Sequence, residues 1–127
     1  MSSDLVVMET REDLKKYLKE TSCDTTIIKL TASWCRPCKM IEPVIHQLNE
    51  QYMVRNLNYE YIEVDVDIAM DIYAFFKKMR MANGIPTFLC FKKKMYTDSH
   101  FYVPFKCMTG ADAKGLSQFF QICLEQR

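Results

Sequence analysis

The sequence predicts an α/β fold: a central mixed β-sheet in the order βαβαβαββα, flanked by helices. Three observations lead to it. β-branched and apolar runs alternate with segments whose apolar residues recur at helical spacing. The last two strand-like runs are joined through a turn signal, Thr97-Asp98-Ser99-His100, which reads as an antiparallel hairpin rather than another crossover. Finally, 127 residues are enough for one domain with a real core and too few for two, so a single domain over residues 1–127 is expected.

Each element has its own signal. Residues 5–8 are a short apolar run, and Thr10-Arg11-Glu12-Asp13 reads as a capping box ahead of Leu14, Tyr17 and Leu18, which share a helical face. Residues 25–31 are β-branched and apolar around Lys29. The helix after Cys35 carries Met40, Ile41, Val44, Ile45 and Leu48, and Pro43 should kink it by removing an N–H and crowding the preceding turn. Residues 59–66 alternate as a third long strand, after which Ile68, Ile72, Phe75, Phe76 and Met79 repeat at helical spacing up to Asn83-Gly84. Residues 87–91 and 101–108 read as hairpin strands with the turn at 97–100. Leu116, Phe119, Phe120 and Cys123 then form the apolar face of a closing helix.

Composition narrows the function. Hydrophobic residues at 49%, charged residues at 26% and a net charge of +1 describe a globular protein with no electrostatic reason to bind nucleic acid or a membrane surface. No run approaches the roughly 18 apolar residues of a membrane span. Met1-Ser2-Ser3-Asp4 has no charged stretch followed by an apolar one, so a cytoplasmic location is expected. In that reducing compartment Cys23, Cys90, Cys107 and Cys123 are expected to be free thiols that pack or lie at the surface. His46 and His100 have no metal-ligand cluster around them, and no metal site is expected.

The chemistry concentrates in Trp34-Cys35-Arg36-Pro37-Cys38, which follows an apolar strand and opens a helix. At a helix start the Cys35 sulfur meets unpaired N–H groups and the positive end of the helix dipole, both of which favour the thiolate. Cys38, one turn on, can close a disulfide with it.

Residues 34–43 (Trp-Cys-Arg-Pro-Cys-Lys-Met-Ile-Glu-Pro), Gly84-Ile85-Pro86-Thr87-Phe88 and the order of elements together resemble the thioredoxin family. Residues 61–67 are similar to the third strand of its eukaryotic cytosolic members. The resemblance implies the thioredoxin fold and a thiol–disulfide oxidoreductase. By match to the family motif, Cys35 is the nucleophile that attacks a substrate disulfide, and Cys38 resolves the mixed disulfide. Pro86 matches a cis-proline that lets Ile85 pair with an extended substrate, and Trp34, Arg36, Pro37, Ile85, Gly110 and Ala111 match the rim on which substrates dock. The family needs no bound cofactor. Its electrons come from NADPH through a separate reductase, its partners are disulfide-containing proteins, and the chain is expected to be a monomer or weak dimer.

The chain departs from the pattern in three places. Arg36 stands where most thioredoxins have Gly; its permanent charge should stabilise the Cys35 thiolate and make the pair more oxidising. Lys29 matches a buried family Asp beneath the active site. Charged, it would lower the Cys38 pKa; neutral, it would accept a proton; a snorkelling lysine reaching solvent is the bland alternative. Glu63, on the expected neighbouring strand, is its predicted ion-pair partner. The third departure is the long hairpin connection, which is expected to project, with an apolar edge strand at residues 101–105 packed on the last helix and Lys92-Lys93-Lys94 a solvated charge run. Two other functions compete: a redox-sensing binding module of the same fold, and metal or iron–sulfur binding by Cys35 and Cys38 with ligands from another chain.

Overall fold

Residues 4–125 are described by a computed structural model. The elements in chain order are β1 (Asp4–Leu5), α1 (Arg11–Glu20), β2 (Thr25–Thr31), α2 (Arg36–Met40), α3 (Glu42–Met53), β3 (Tyr59–Asp65), α4 (Met70–Lys78), β4 (Thr87–Lys92), β5 (Lys106–Thr109) and α5 (Ala113–Glu125). The sheet runs β1-β3-β2-β4-β5, parallel from β1 through β2 and antiparallel from there to β5. β2 and β4 are the central strands, and nearly every residue of both is buried, as strands covered on both faces must be.

Two apolar clusters sandwich the sheet. Leu14 and Leu18 of α1 with Ile72 and Phe76 of α4 pack on one face, and Ile41, Ile45 and Leu48 with Leu116, Phe119, Phe120 and Cys123 of α5 pack on the other. The residues that predicted α5 are therefore all core. Thr10 caps α1 through the predicted capping box, its side chain accepting from Asp13 N–H while the Asp13 carboxylate accepts from Thr10 N–H. Glu60 stitches α1 to the sheet by accepting from Tyr17 Oη (2.5 Å), Thr21 Oγ1 (2.5 Å) and Thr26 Oγ1 (2.8 Å).

Several boundaries differ from expectation, each for a physical reason. β1 ends at Leu5; Val6 N–H still reaches the Glu63 carbonyl, but Val7 faces solvent while Met8 turns into the core. α4 begins at Met70, so Ile68 lies before it and is 45% exposed, and Met79 is its exposed C-cap. The Pro43 kink appears as the division between α2 and α3 at Ile41.

The largest correction is the hairpin, because residues 101–105 form no strand. Pro104 cannot donate to a ladder, and pairing resumes only where Phe105 N–H donates to the Cys90 carbonyl at 2.7 Å. Nor do the connection's aromatic residues pack on α5. Tyr102 meets Phe75 of α4 edge-on, with ring centroids 5.0 Å apart, and Phe101 and Tyr96 join the α1/α4 cluster. The lysine run is likewise not simply solvated: Lys93 Nζ donates to the Leu18 and Lys19 carbonyls at the end of α1, and Lys92 Nζ to the Cys123 carbonyl in α5 and to Thr25 Oγ1. Two of the three lysines thus cap helix C-termini, where unpaired carbonyls and the negative end of the dipole attract a cation.

Candidate active site

β2 carries the chain to the head of α2, where the Ala32 carbonyl accepts from Cys35 N–H (3.2 Å) and closes the turn. Cys35 is the N-cap of α2, with Pro37 in the first turn, where a missing N–H costs nothing. Its Sγ accepts from Cys38 N–H at 3.2 Å, so a backbone donor at the helix start already faces this sulfur. Cys35 and Cys38 are joined as a disulfide with Cα atoms 5.3 Å apart, and both are buried. Arg36, between them, is exposed.

The loop before β4 approaches the disulfide from the other side. The Ile85–Pro86 peptide is cis, and the Ile85 carbonyl oxygen lies 3.8 Å from Cys35 Sγ. Gly110 N–H donates to the Pro86 carbonyl at 2.8 Å, from a backbone at φ +117° that favours glycine. Thr87 Oγ1 donates to the Gly84 carbonyl and meets Thr109 Oγ1, which in turn accepts from Asn83 N–H, so the two loops are tied to each other. Trp34 is 66% exposed, and its Nε1 donates to Asp67 (2.8 Å) in the loop after β3. Pro37 and Ala111 are exposed and Ile85 is half-buried. The Trp34 indole, the Ile85 carbonyl and the disulfide are thereby brought together.

Beneath the disulfide, Lys29 of β2 is fully buried, which rules out the snorkelling alternative. Its Nζ donates to the Cys38 carbonyl at 2.9 Å and lies 3.7 Å from Glu63 Oε2 and 4.0 Å from Glu42 Oε2. The Lys29–Glu63 pair follows the β2/β3 register, in which the two residues are directly opposite. Tyr61 Oη donates to Glu63 at 2.8 Å. Burial pulls the Lys29 pKa below the usual ammonium range while the Glu63 and Glu42 carboxylates push it back up. Burial, followed by the charge of Glu63, holds the Tyr61 phenol well above its ordinary value, so Tyr61 remains a donor.

Sequence reasoning missed Glu42, Tyr61 and Asp67. Glu42 had a usable signal: it lies one helical turn beyond Cys38 on the same face. Asp67 had none, because its contact with Trp34 joins two loops distant in sequence. Among the described residues, no group of three or more His, Cys, Asp or Glu side chains is arranged to hold a metal.

Comparison with known proteins agrees with this arrangement. The Thioredoxin family model matches residues 5–104. Horse thioredoxin (Equus caballus) is 34% identical over 91 residues, which is 72% of this chain and 79% of that one. Rabbit thioredoxin (Oryctolagus cuniculus) is 36% identical over 86 residues, 68% of this chain and 74% of that one. Among solved structures, thioredoxin from Fasciola hepatica superposes with a TM-score of 0.68 at 22% identity, covering 96% of this chain and 99% of that one. With the fold, the paired cysteines and these relatives in agreement, the chain belongs to the thioredoxin family of thiol–disulfide oxidoreductases.

Proposed function

We propose that the protein, acting as one domain, reduces disulfides of other proteins in the cytosol and is recycled by a separate NADPH-dependent reductase. The observation that carries this reading is the Cys35–Cys38 disulfide at the head of α2 with the Ile85 carbonyl 3.8 Å from Cys35 Sγ. In the forward direction the Cys35 thiolate attacks one sulfur of the substrate disulfide and the other leaves as a thiolate. Cys38 then attacks Cys35, restoring the internal disulfide and releasing the second substrate thiol. An extended substrate segment pairs with Ile85 beside Pro86, over Trp34, Pro37, Gly110 and Ala111. Four free cysteines, two of them fully buried, suit a reducing compartment.

The direct test is reduction of insulin disulfides with dithiothreitol as donor. Turnover by the wild-type protein and its loss in Cys35→Ser are expected. A folded, reduced wild-type protein without turnover would instead favour the redox-sensing module.

Arg36 tunes the same site. Exposed at the first helical position, its guanidinium adds to the charge favouring the Cys35 thiolate, so Arg36→Gly should make the pair more reducing by about 10–30 mV. Equilibration with a glutathione buffer measures this, and an unchanged or raised potential would refute it.

A further inference from the structure

The carbonyl that Lys29 holds is that of the resolving cysteine, and the lysine reaches it from inside the protein rather than from the surface. A buried ammonium is costly unless countered, and two carboxylates from different elements counter this one: Glu63 of β3 and Glu42 at the start of α3. The other group facing the cluster is the Tyr61 phenol of β3, which donates to Glu63. From β4, the residue opposite Lys29 is Phe88, which is apolar and fully buried. The ammonium thus sits against the backbone of the residue whose sulfur must ionise, and a nearby opposite charge favours the ionised form.

We propose that Lys29 is a positioning residue for the second half of the exchange. Its ammonium, kept in place by Glu63 and Glu42, fixes the Cys38 turn and stabilises the Cys38 thiolate that attacks the mixed disulfide. This deepens the oxidoreductase reading and rests on it. In the step concerned, the Cys38 thiol gives its proton to water. The thiolate forms the Cys35–Cys38 bond as the Cys35–substrate bond breaks, and the departing substrate thiolate takes up a proton. Lys29 itself keeps its protons throughout.

Lys29 therefore acts on one cysteine of the two, which a merely structural residue would not do. The experiment titrates each thiol alone by thiolate absorbance and by its rate of alkylation. In the Cys35→Ser background, Lys29→Met is expected to lower the Cys38 thiolate fraction at pH 7 about tenfold. In the Cys38→Ser background, the same substitution is expected to leave the Cys35 thiolate fraction within about twofold, since the N–H of residue 38 at the head of α2 still faces it. The double substitution Lys29→Met/Glu63→Gln, which leaves no unpaired buried carboxylate, should move the Cys38 titration of a folded protein in the same direction but by less, since the like charge of Glu63 is removed with the cation. An unmoved Cys38 titration, or equal movement of both cysteines, would overturn the proposal. Because these titrations need no turnover, they separate its failure from that of the oxidoreductase reading, which the insulin assay decides.

Discussion

Cys38→Ser is expected to turn the catalyst into a covalent trap. Cys35 would still attack a substrate disulfide, since its sulfur keeps its place as the N-cap of α2, 3.8 Å from the Ile85 carbonyl. The mixed disulfide would then have no neighbouring thiol to resolve it. In the wild-type protein that thiol sits one turn away, with the two Cα atoms 5.3 Å apart. An intramolecular nucleophile so placed outcompetes millimolar external thiol by a wide margin, so steady-state insulin reduction should fall at least about 10²-fold. Intact-mass analysis after mixing with a disulfide substrate should show one substrate chain attached to Cys38→Ser and none to Cys35→Ser. An adduct on Cys35→Ser and none on Cys38→Ser would mean that Cys38 attacks first, reversing the assigned roles.

The placement of the two cysteines was legible in the sequence because it is local. The spacing from Cys35 to Cys38 is one helical turn, the preceding apolar run ends at a strand, and Pro37 and Pro43 mark where the helix starts and bends. Periodicity worked equally well where one face alone is buried, as in α5, where Leu116, Phe119, Phe120 and Cys123 are all in the core. It failed for residues 101–105, whose aromatic and β-branched composition suits a strand. What decided their state was Phe75 on α4, a tertiary partner that draws Tyr102 off the sheet, together with a proline that cannot pair.

Long polar side chains were the least readable. Lys92 and Lys93 look like a solvated run until two helix ends, one near residue 19 and one near residue 123, are brought within reach of them. Lys29 was half-readable: a lysine in an apolar strand is conspicuous, and strand pairing pointed to Glu63. Its contacts with the Cys38 carbonyl and with Glu42 depend on how α2 and α3 cross above β2, which the pattern of residues does not reveal.

Lys29→Met is expected to be the most destabilising single change at the site, and the reason lies in what it leaves behind. Methionine fills a similar volume and is apolar, so packing on β2 is largely kept. What is lost is the cation opposite Glu63, whose side chain is only 18% exposed and would retain the Tyr61 hydroxyl as its hydrogen-bond donor. Breaking a buried pair from one side costs about 3–5 kcal/mol, and the residual exposure and the Tyr61 bond place this case near 3 kcal/mol. For a domain of this size that moves a urea midpoint down by roughly 2 M. The paired substitution Lys29→Met/Glu63→Gln removes both charges while keeping an acceptor for Tyr61, and should lie within about 1 kcal/mol of the wild type. The difference between the two variants measures coupling that neither reveals alone. If both are destabilised equally, the cost comes from lost packing or from the Cys38 carbonyl rather than from an orphaned carboxylate, and the ion pair is not what holds β2 to β3 beneath the disulfide.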